Sequence, residues 1–295
     1  MSDKLSFLVF GAGAVGSVYG WRIQVGGGNV SVVCRSNYEA VKKNGFTINS
    51  EIFGSHTFIP NNVYSSAKET VANGQEYDYI LVCTKALPNI EDPTILLKQI
   101  IKSNKTTIVL VQNGIGIEEP YIKAVLEKDK EYKRRGEFAL NTFDKILLSG
   151  KVESIVEKHL QRSRWFKLIW NASFNPISVI SGQYSANDLL SNPGTRDLIK
   201  KTMYEVIKIG EAITGGPLHD EISGANIPDY YIDRIEIRNT IVVPSMLQDY
   251  MNKKPMEYEV ILKTPIEKAK VLGIQVPILE TLYSLLVMNE KRNLQ

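Results

Sequence analysis

The chain has 295 residues, of which 43% are hydrophobic and 23% are charged, and its formal net charge is +3. This is the composition of an ordinary globular protein with room for about two domains. The small net charge argues against nucleic acid as a partner, and no apolar stretch approaches the roughly 20 residues that a membrane-spanning helix needs.

The first predicted element is a short buried strand within the apolar run at residues 5–10, which leads directly into a glycine-rich loop and a helix over residues 14–25. A strand followed by G-x-G-x-x-G and a helix is typical of a dinucleotide site, in which the helix N-terminus faces the pyrophosphate. A glycine turn without a ligand is the alternative. The predicted cofactor-binding residues of the loop are Gly11, Ala12, Gly13, Ala14, Val15 and Gly16.

Further short apolar segments predict parallel strands, which are apolar throughout because helices cover both faces of the sheet. Residues 46–59 predict an antiparallel excursion instead. Strands that alternate with helices predict a Rossmann-type, doubly wound parallel sheet over residues 1–158, with its ligand at the carboxyl ends of the strands. The predicted parallel strands are residues 7–10, 30–34, 79–83 and 107–111.

Three polar residues follow the predicted strand ends. NAD-selecting enzymes usually place Asp or Glu after the second strand, but this chain has Arg35, and a cation suits the 2′-phosphate of NADP. Lys85 and Asn113 follow the next two strands, where side chains converge on the cofactor. Instead of binding a cofactor, Arg35 and Lys85 could be exposed surface charges, and Asn113 could belong to a simple turn.

The two cysteines, Cys34 and Cys83, lie inside apolar segments and predict buried free thiols, which suit a reducing compartment. Because Met1 leads almost directly into the first strand, we expect no signal peptide and a cytoplasmic location. A basic run at residues 128–135 is interleaved with acidic residues and predicts a solvated surface.

The second half of the chain changes in character, because long segments with helical apolar spacing replace the short strands. They predict an all-helical substrate and catalytic domain over residues 159–295. The predicted helices are residues 165–180, 197–214, 233–251 and 258–272.

One of these helices carries a polar stripe. Lys167, Asn171 and Asn175 are four residues apart, which places them on one face of an otherwise apolar helix. Burying such groups costs several kcal/mol unless they find partners, so the stripe indicates a lined cavity, with a solvated face as the alternative. Lys167 could protonate a ketone during its reduction, and Pro176 should kink or break the helix. No His or Cys cluster has metal-ligand spacing, and no metal is expected.

Together these residues resemble the ketopantoate reductase (2-dehydropantoate 2-reductase) family. The resemblance implies NADPH-dependent reduction of a branched 2-keto acid, 2-dehydropantoate to pantoate, in pantothenate and coenzyme A biosynthesis. The segments that carry it are residues 11–16, 34–35, 84–86, 112–116, 165–168, Asn171, Asn175 with Pro176, 245–249 and Glu257.

The resemblance also implies a role for each site residue. Lys167 would be the general acid, and Glu257 would orient it or bridge to the substrate. Asn113 would lie between cofactor and substrate, and Arg35 with Lys85 would contact the adenosine phosphate. The substrate's hydroxyl and carboxylate would be held by Asn171, Asn175 and Ser245.

The chain departs from the family pattern in three places. The stretch after residue 122 is shorter than in family members. Val243 and Pro244 precede Ser245 where a second Ser is usual, and residues 253–259 differ from the sequence usual in the family. These departures leave two alternatives open: a reductase of another 2-keto acid or ketone, and a non-catalytic NADPH-binding sensor or scaffold. A homodimer is left open as the assembly.

Overall fold

A computed structural model of the chain describes residues 4–101, 105–126, 132–238 and 240–295. The chain forms two compact units. The first consists of Met1–Lys85, Asp92–Gln112 and Ile117–Val156, and the second of Ala86–Glu91, Asn113–Gly116 and Glu157–Gln295. The domain boundary predicted between residues 158 and 159 stays a prediction. The two units are not continuous in sequence, since two short segments from the first half of the chain belong to the second unit.

The first unit is built on a parallel sheet. Its strands are β1 (Ser6–Phe10), β2 (Asn29–Val33), β3 (Phe46–Ser50), β4 (Gly54–Phe58), β5 (Asn62–Tyr64), β6 (Tyr79–Val82) and β7 (Thr107–Leu110). Five of them pair in parallel in the order β5-β2-β1-β6-β7, while β3 and β4 form a separate antiparallel pair. The predicted fold class is confirmed. Strand β5 was not predicted, because three residues are too few to show the alternation of apolar and polar residues that marks a strand.

The helices of this unit lie between the strands and after β7. They are α1 (Ala14–Val25), α2 (Tyr38–Asn44), α3 (Ala67–Asn73), α4 (Pro93–Ile100), the short α5 (Glu119–Tyr121), a π-helical turn (Ile122–Leu126) and α6 (Tyr132–Ser149). The observed α1 has the predicted bounds. Part of the basic run at residues 128–135 lies outside the described residues.

The central strand β1 shows why the segments are apolar throughout. Phe7 and Val9 point into one hydrophobic core, and Leu8 and Phe10 point into a second core on the opposite face. Phe7 pairs with Val30 of β2 on one side and with Tyr79 of β6 on the other. Because β1 has neighbours on both edges and a core on both faces, the side chains of residues 7–10 are all buried.

The sheet ends at β7, whose four residues are all partly exposed. In the described part of the first unit no strand follows β7 along the chain. A cavity of about 680 Å³ lies beside this edge and is lined by β7 residues and by Tyr79, Tyr121 and Phe138. None of the predicted site residues lines it.

The second unit is helical. Its elements are α7 (Leu160–Ile180), α8 (Ala186–Ser191), α9 (Pro193–Thr214), α10 (Ile227–Glu236), α11 (Ser245–Met251), a second π-helical turn (Glu259–Lys263), α12 (Thr264–Val271) and α13 (Pro277–Asn293). Among the described residues, no helix combines the length and the apolar character that crossing a membrane requires.

One expectation for these helices was wrong, and a second, the kink or break at Pro176, was wrong for the break. The helix predicted over residues 233–251 is two helices, α10 and α11, because Pro244 lacks the N–H group that an α-helix interior needs and serves instead as the residue before α11. Conversely, α7 does not break at Pro176 but continues to Ile180. Surrounding side chains bury Pro176 and the residues on either side of it, and this packing outweighs the lost hydrogen bond.

Candidate functional site

The glycine-rich motif requires glycine at two positions, one in the loop between β1 and α1 and one in the first turn of α1. Gly11 has a φ of +98°, and a Cβ there would lie 2.7 Å from the backbone nitrogen of Thr84. A Cβ on Gly16 would lie 2.4 Å from the carbonyl oxygen of Gly11. Gly13 differs, since a Cβ on it would meet no atom within 4 Å. The loop is therefore closed against the sheet and open above Gly13.

The open side of this loop is the N-terminus of α1, a helix of 12 residues. Gly13 is the N-cap residue, no side chain caps the first N–H groups, and the first turn contains no acidic residue. Uncapped N–H groups at the positive end of a helix bind anions. The loop thus fits the pyrophosphate of a dinucleotide in space, in hydrogen-bond donors and in charge.

Segments after three strands surround this loop within the first unit. The amide nitrogen of Ala12 donates to Val33 O at the end of β2 (3.2 Å), and Asn37 Nδ2 donates to Ala12 O (3.0 Å). Arg35 lies between these two contacts in sequence and is exposed. After β6, Gln112 Nε2 holds Thr84 O at 2.8 Å. The cations Arg35 and Lys85 thus follow segments that contact the loop.

Burial determines the state of the nearby thiols. It raises the pKa of Cys83 to about 12 and that of Cys34 to about 11. Both cysteines are free, as predicted. They remain protonated near neutral pH, so neither is suited to act as a nucleophile.

A chain of hydrogen bonds connects the predicted catalytic residues in the second unit. Lys167 Nζ donates to Asn113 Oδ1 at 3.1 Å, and Asn113 Nδ2 donates to Glu257 Oε2 at 3.1 Å. The other carboxylate oxygen, Glu257 Oε1, accepts the backbone N–H of Ala86 at 2.9 Å. Lys167 thus reaches Glu257 through the amide of Asn113.

The polar stripe of α7 extends from this chain into the interior. Lys167 is exposed, whereas Asn171 is 7% and Asn175 is 1% exposed. Asn175 Oδ1 accepts the backbone N–H of Met246 at 3.3 Å, which brings α7 against the start of α11, where Ser245 lies. Asn175 Nδ2 is buried and has no hydrogen-bond partner. A buried amide donor without a partner is costly, and a ligand oxygen would satisfy it.

Two residues that position Asn113 were not predicted. Gly114 has a φ of +92°, and a Cβ there would lie 2.5 Å from the side chain of Val260. Arg164 Nη2 donates to Gly114 O at 2.8 Å, and the N–H of Ile115 donates to Val260 O at 3.1 Å. The spacing of Arg164, three residues before Lys167 on the same helix, is the signal in the sequence that could have indicated it.

Comparison with known proteins matches both halves of the chain to one family. The model "Ketopantoate reductase PanE/ApbA" matches residues 7–133, and its C-terminal counterpart matches residues 159–290. A 2-dehydropantoate 2-reductase of Nostoc sp. is 27% identical over 99% of this chain and 97% of its own length. An uncharacterized protein of Saccharomyces cerevisiae is 30% identical over 95% of this chain and 92% of its own length.

The alignment with the Nostoc relative extends over 328 residues, so that relative contains segments for which this chain of 295 residues has no counterpart.

Solved structures show the same fold. The 2-dehydropantoate 2-reductase of Methylococcus capsulatus is 28% identical, has a TM-score of 0.80 and covers 99% of this chain and 98% of its own. A D-mandelate dehydrogenase solved with NADH shares the fold at 17% identity and a TM-score of 0.80, with coverage of 98% and 99%. A dimeric ketopantoate reductase of Staphylococcus aureus shares it at 17% identity and a TM-score of 0.72, with coverage of 98% and 100%. With both domain models matched and the fold shared along the whole chain, this protein belongs to the ketopantoate reductase family.

Proposed function

We propose that this protein reduces a branched 2-keto acid with NADPH, and that its substrate is 2-dehydropantoate, which becomes pantoate on the route to pantothenate and coenzyme A. The observation that carries the proposal is the hydrogen-bonded series Lys167–Asn113–Glu257 at the exposed end of a stripe that continues into buried asparagine amides. Family membership supports the reaction class, an oxidoreductase that acts on a CH–OH group.

The proton is the part of the reaction that these side chains can supply. The cofactor supplies a hydride when it is bound. The carbonyl oxygen then needs a proton, and the Lys167 ammonium is a donor held at Nζ by Asn113. Glu257 fixes the Asn113 amide so that its oxygen, rather than its nitrogen, faces Lys167. In this proposal Lys167 is the general acid, and Asn113 and Glu257 orient it.

The substrate oxygens need donors, and the stripe on α7 supplies them. The unpartnered Nδ2 of Asn175 would donate to a carboxylate or hydroxyl oxygen of the substrate. Asn171 lies one turn nearer to Lys167, and Ser245 precedes the backbone N–H that holds Asn175. We assign substrate binding to Asn113, Asn171, Asn175 and Ser245.

The glycine loop and the two cations support NADPH as the cofactor. The space above Gly13 and the uncapped start of α1 suit the pyrophosphate. Arg35 stands after β2, where an acidic residue would select NADH, and Lys85 follows β6. Because a structural neighbour was solved with NADH, both cofactors belong in the test.

An aromatic 2-keto acid is a second candidate substrate. Trp170 is three residues from Lys167 on α7 and therefore flanks it on the helix surface. Its ring stacks on Phe174 at 4.1 Å and lies 6.2 Å from the ring of Tyr231, yet it remains partly exposed. A partly exposed indole ring beside the proton donor would favour a flat, apolar substituent on the substrate.

The test is steady-state turnover of 2-dehydropantoate, other branched 2-keto acids and an aromatic 2-keto acid, each with NADPH and with NADH. Lys167→Ala should lower kcat by about 10²- to 10⁴-fold, the usual loss for a general acid. Lys201→Ala, on the surface of α9, should leave kcat unchanged. A wild type that reduces none of these acids would favour an NADPH-binding sensor or scaffold. Full activity of Lys167→Ala would remove the assignment of the acid.

Two further parts of the proposal concern the setting of the enzyme. A cytoplasmic location is supported by the two free cysteines. A homodimer is supported by the dimeric Staphylococcus aureus relative, and sedimentation of the purified protein tests it. A monomer across the accessible concentration range would refute the dimer.

A further inference from the structure

Glu257 lies on a short connection between α11 and the π-helical turn at Glu259–Lys263, and a single buried carboxylate holds both of its neighbours in the chain. Glu290 of α13 accepts the backbone N–H of Met256 at 2.6 Å and the hydroxyl of Tyr258 at 2.7 Å. Glu290 is 7%, Met256 1% and Tyr258 5% exposed. The residues before and after Glu257 are therefore anchored to the same group.

Both contacts are short and buried. A buried donor that loses its acceptor keeps the full free-energy cost of its desolvation, so each contact opposes a displacement of residue 256 or 258. Burial, together with the hydrogen bond to Glu290, raises the pKa of Tyr258, so its hydroxyl stays a donor. The anchors on both sides of Glu257 therefore depend on one side chain, Glu290.

A second carboxylate holds the other end of the segment. Glu259 accepts the hydroxyl of Tyr283, also on α13, at 2.8 Å and pairs with Lys263 at 2.9 Å. The π-helical turn begins at Glu259, and such turns occur frequently at functional sites. Because Tyr283 and Lys263 hold Glu259 without Glu290, the contacts of Glu290 position only residues 256–258.

We propose that Glu290 is a positioning residue of the reductase, which sets the orientation of Glu257 and, through it, that of Asn113 and Lys167. The proposal rests on the proposed function. Glu290 itself touches neither Asn113 nor Lys167, so its effect passes through the backbone at Met256 and the ring of Tyr258. Glu257 then presents one oxygen to Ala86 N and the other to Asn113 Nδ2.

The amide of Ala86 makes this effect measurable without turnover. It donates to Glu257 Oε1 and lies 171 residues away from it in sequence. Its hydrogen exchange therefore reports whether Glu257 is in position. In Glu290→Gln we expect exchange at Ala86 to rise about tenfold, and Glu257→Ala should give the same rise as a positive control. Glu280→Gln, an exposed position on the same helix, should leave it unchanged.

Kinetics supply the second readout. Glu290→Gln should lower kcat about 10- to 100-fold while KM and the Kd for NADPH change less than about twofold, because misplacement of a catalytic group affects the chemical step. Glu280→Gln should keep the wild-type kcat. Tyr258→Phe removes one of the two anchors and should show a smaller loss in the same direction. It carries the test if Glu290→Gln does not fold.

The outcomes separate this inference from the proposed function. Faster exchange at Ala86 together with a fall in kcat supports both. Faster exchange at Ala86 in a protein that reduces no 2-keto acid refutes the proposed function and leaves the positioning role of Glu290 standing. Unchanged exchange at Ala86 in Glu290→Gln and in Tyr258→Phe overturns the inference, whatever the activity.

Discussion

Single residues at the site combine unusual backbone geometry with polar side chains, and each can be tested separately. Asn113 makes two hydrogen bonds with one amide, so its orientation determines which atom Lys167 meets. Gly114, next to it, is forced to be glycine both by its backbone angle and by Val260. The site therefore depends on residues that carry no chemistry as well as on those that do.

Arg35 tests the choice of cofactor. Removing a charge-assisted contact to a phosphate should weaken binding by roughly 1–3 kcal/mol, so Arg35→Ala should lose this much affinity for NADPH and little for NADH. Fluorescence titration with both cofactors measures the two Kd values. Lys43→Ala, an exposed cation in the same unit, is the matched control. Equal losses for the two cofactors would contradict a contact with the 2′-phosphate.

Gly114 tests the close approach beside Asn113. Gly114→Ala adds a Cβ 2.5 Å from Val260 at a φ of +92°, whereas Gly182→Ala adds one at a φ of +109° with only a 3.8 Å neighbour. Gly182→Ala should cost about 1–2 kcal/mol of backbone strain, and Gly114→Ala about 1–3 kcal/mol more from the clash. Chemical denaturation measures both. Equal destabilisation would mean that Val260 moves aside freely.

At the scale of elements, α13 supports the rest of the second unit through carboxylates at both of its ends. Glu290 near its C-terminus anchors residues 256 and 258, and Glu205 of α9 accepts the N–H groups of Ile278 and Leu279 at its N-terminus. Glu205 thus satisfies two of the donors that every helix start leaves unpaired. The order of the helices along the chain predicts neither contact.

Glu205 makes the stability of the protein depend on pH. Burial, only partly offset by the two N–H groups, raises its pKa above the ordinary value. A carboxyl with a raised folded pKa contributes stability below its unfolded pKa, and this contribution is lost as pH rises through the folded pKa. The stability of Glu205→Gln relative to wild type should therefore increase as pH rises above about 4, the ordinary pKa of a glutamate. Urea denaturation at several pH values measures the difference.

A carboxylate with the opposite shift supplies the control. Arg196 lowers the pKa of Glu236 through their hydrogen bond, so the stability from Glu236 is present at neutral pH and is lost as pH falls. Glu236→Gln should lose stability relative to wild type as pH rises, and this change should be complete by about pH 5, just above the ordinary pKa of a glutamate. If the stability of both variants relative to wild type changed with pH in the same direction, burial would not be the cause of the pKa shift of Glu205.

Element boundaries show where sequence patterns succeed and fail. Helix α1 was predicted to its exact ends because its glycine loop and the following glycines mark both termini. The pair α10 and α11 was predicted as one helix, since apolar spacing continues across Pro244. In α7, the break predicted as one alternative at Pro176 does not occur. Local signals fix an element only where tertiary packing does not oppose them.

At the scale of the whole molecule, the thiols report on the unfolding of one of its two units. Cys34 belongs to the core of the first unit and Cys83 packs against it, and burial raises the pKa of both well above that of an exposed thiol. Ellman's reagent at pH 8 should therefore react roughly 100-fold more slowly with native than with unfolded protein. Labelling should follow the unfolding transition seen by circular dichroism. Rapid labelling of native protein would contradict the burial of these strand ends.

The sequence by itself determined what depends on neighbours within about ten residues: the glycine loop, the apolar parallel strands, the cation in place of an acid at Arg35 and the polar stripe on α7. Only the tertiary structure decided which distant groups meet. Glu257 reaches Asn113 across 144 residues and Ala86 across 171, and Glu290 anchors both neighbours of Glu257 from another helix. Periodicity reports which face a residue occupies, whereas packing decides what lies opposite that face.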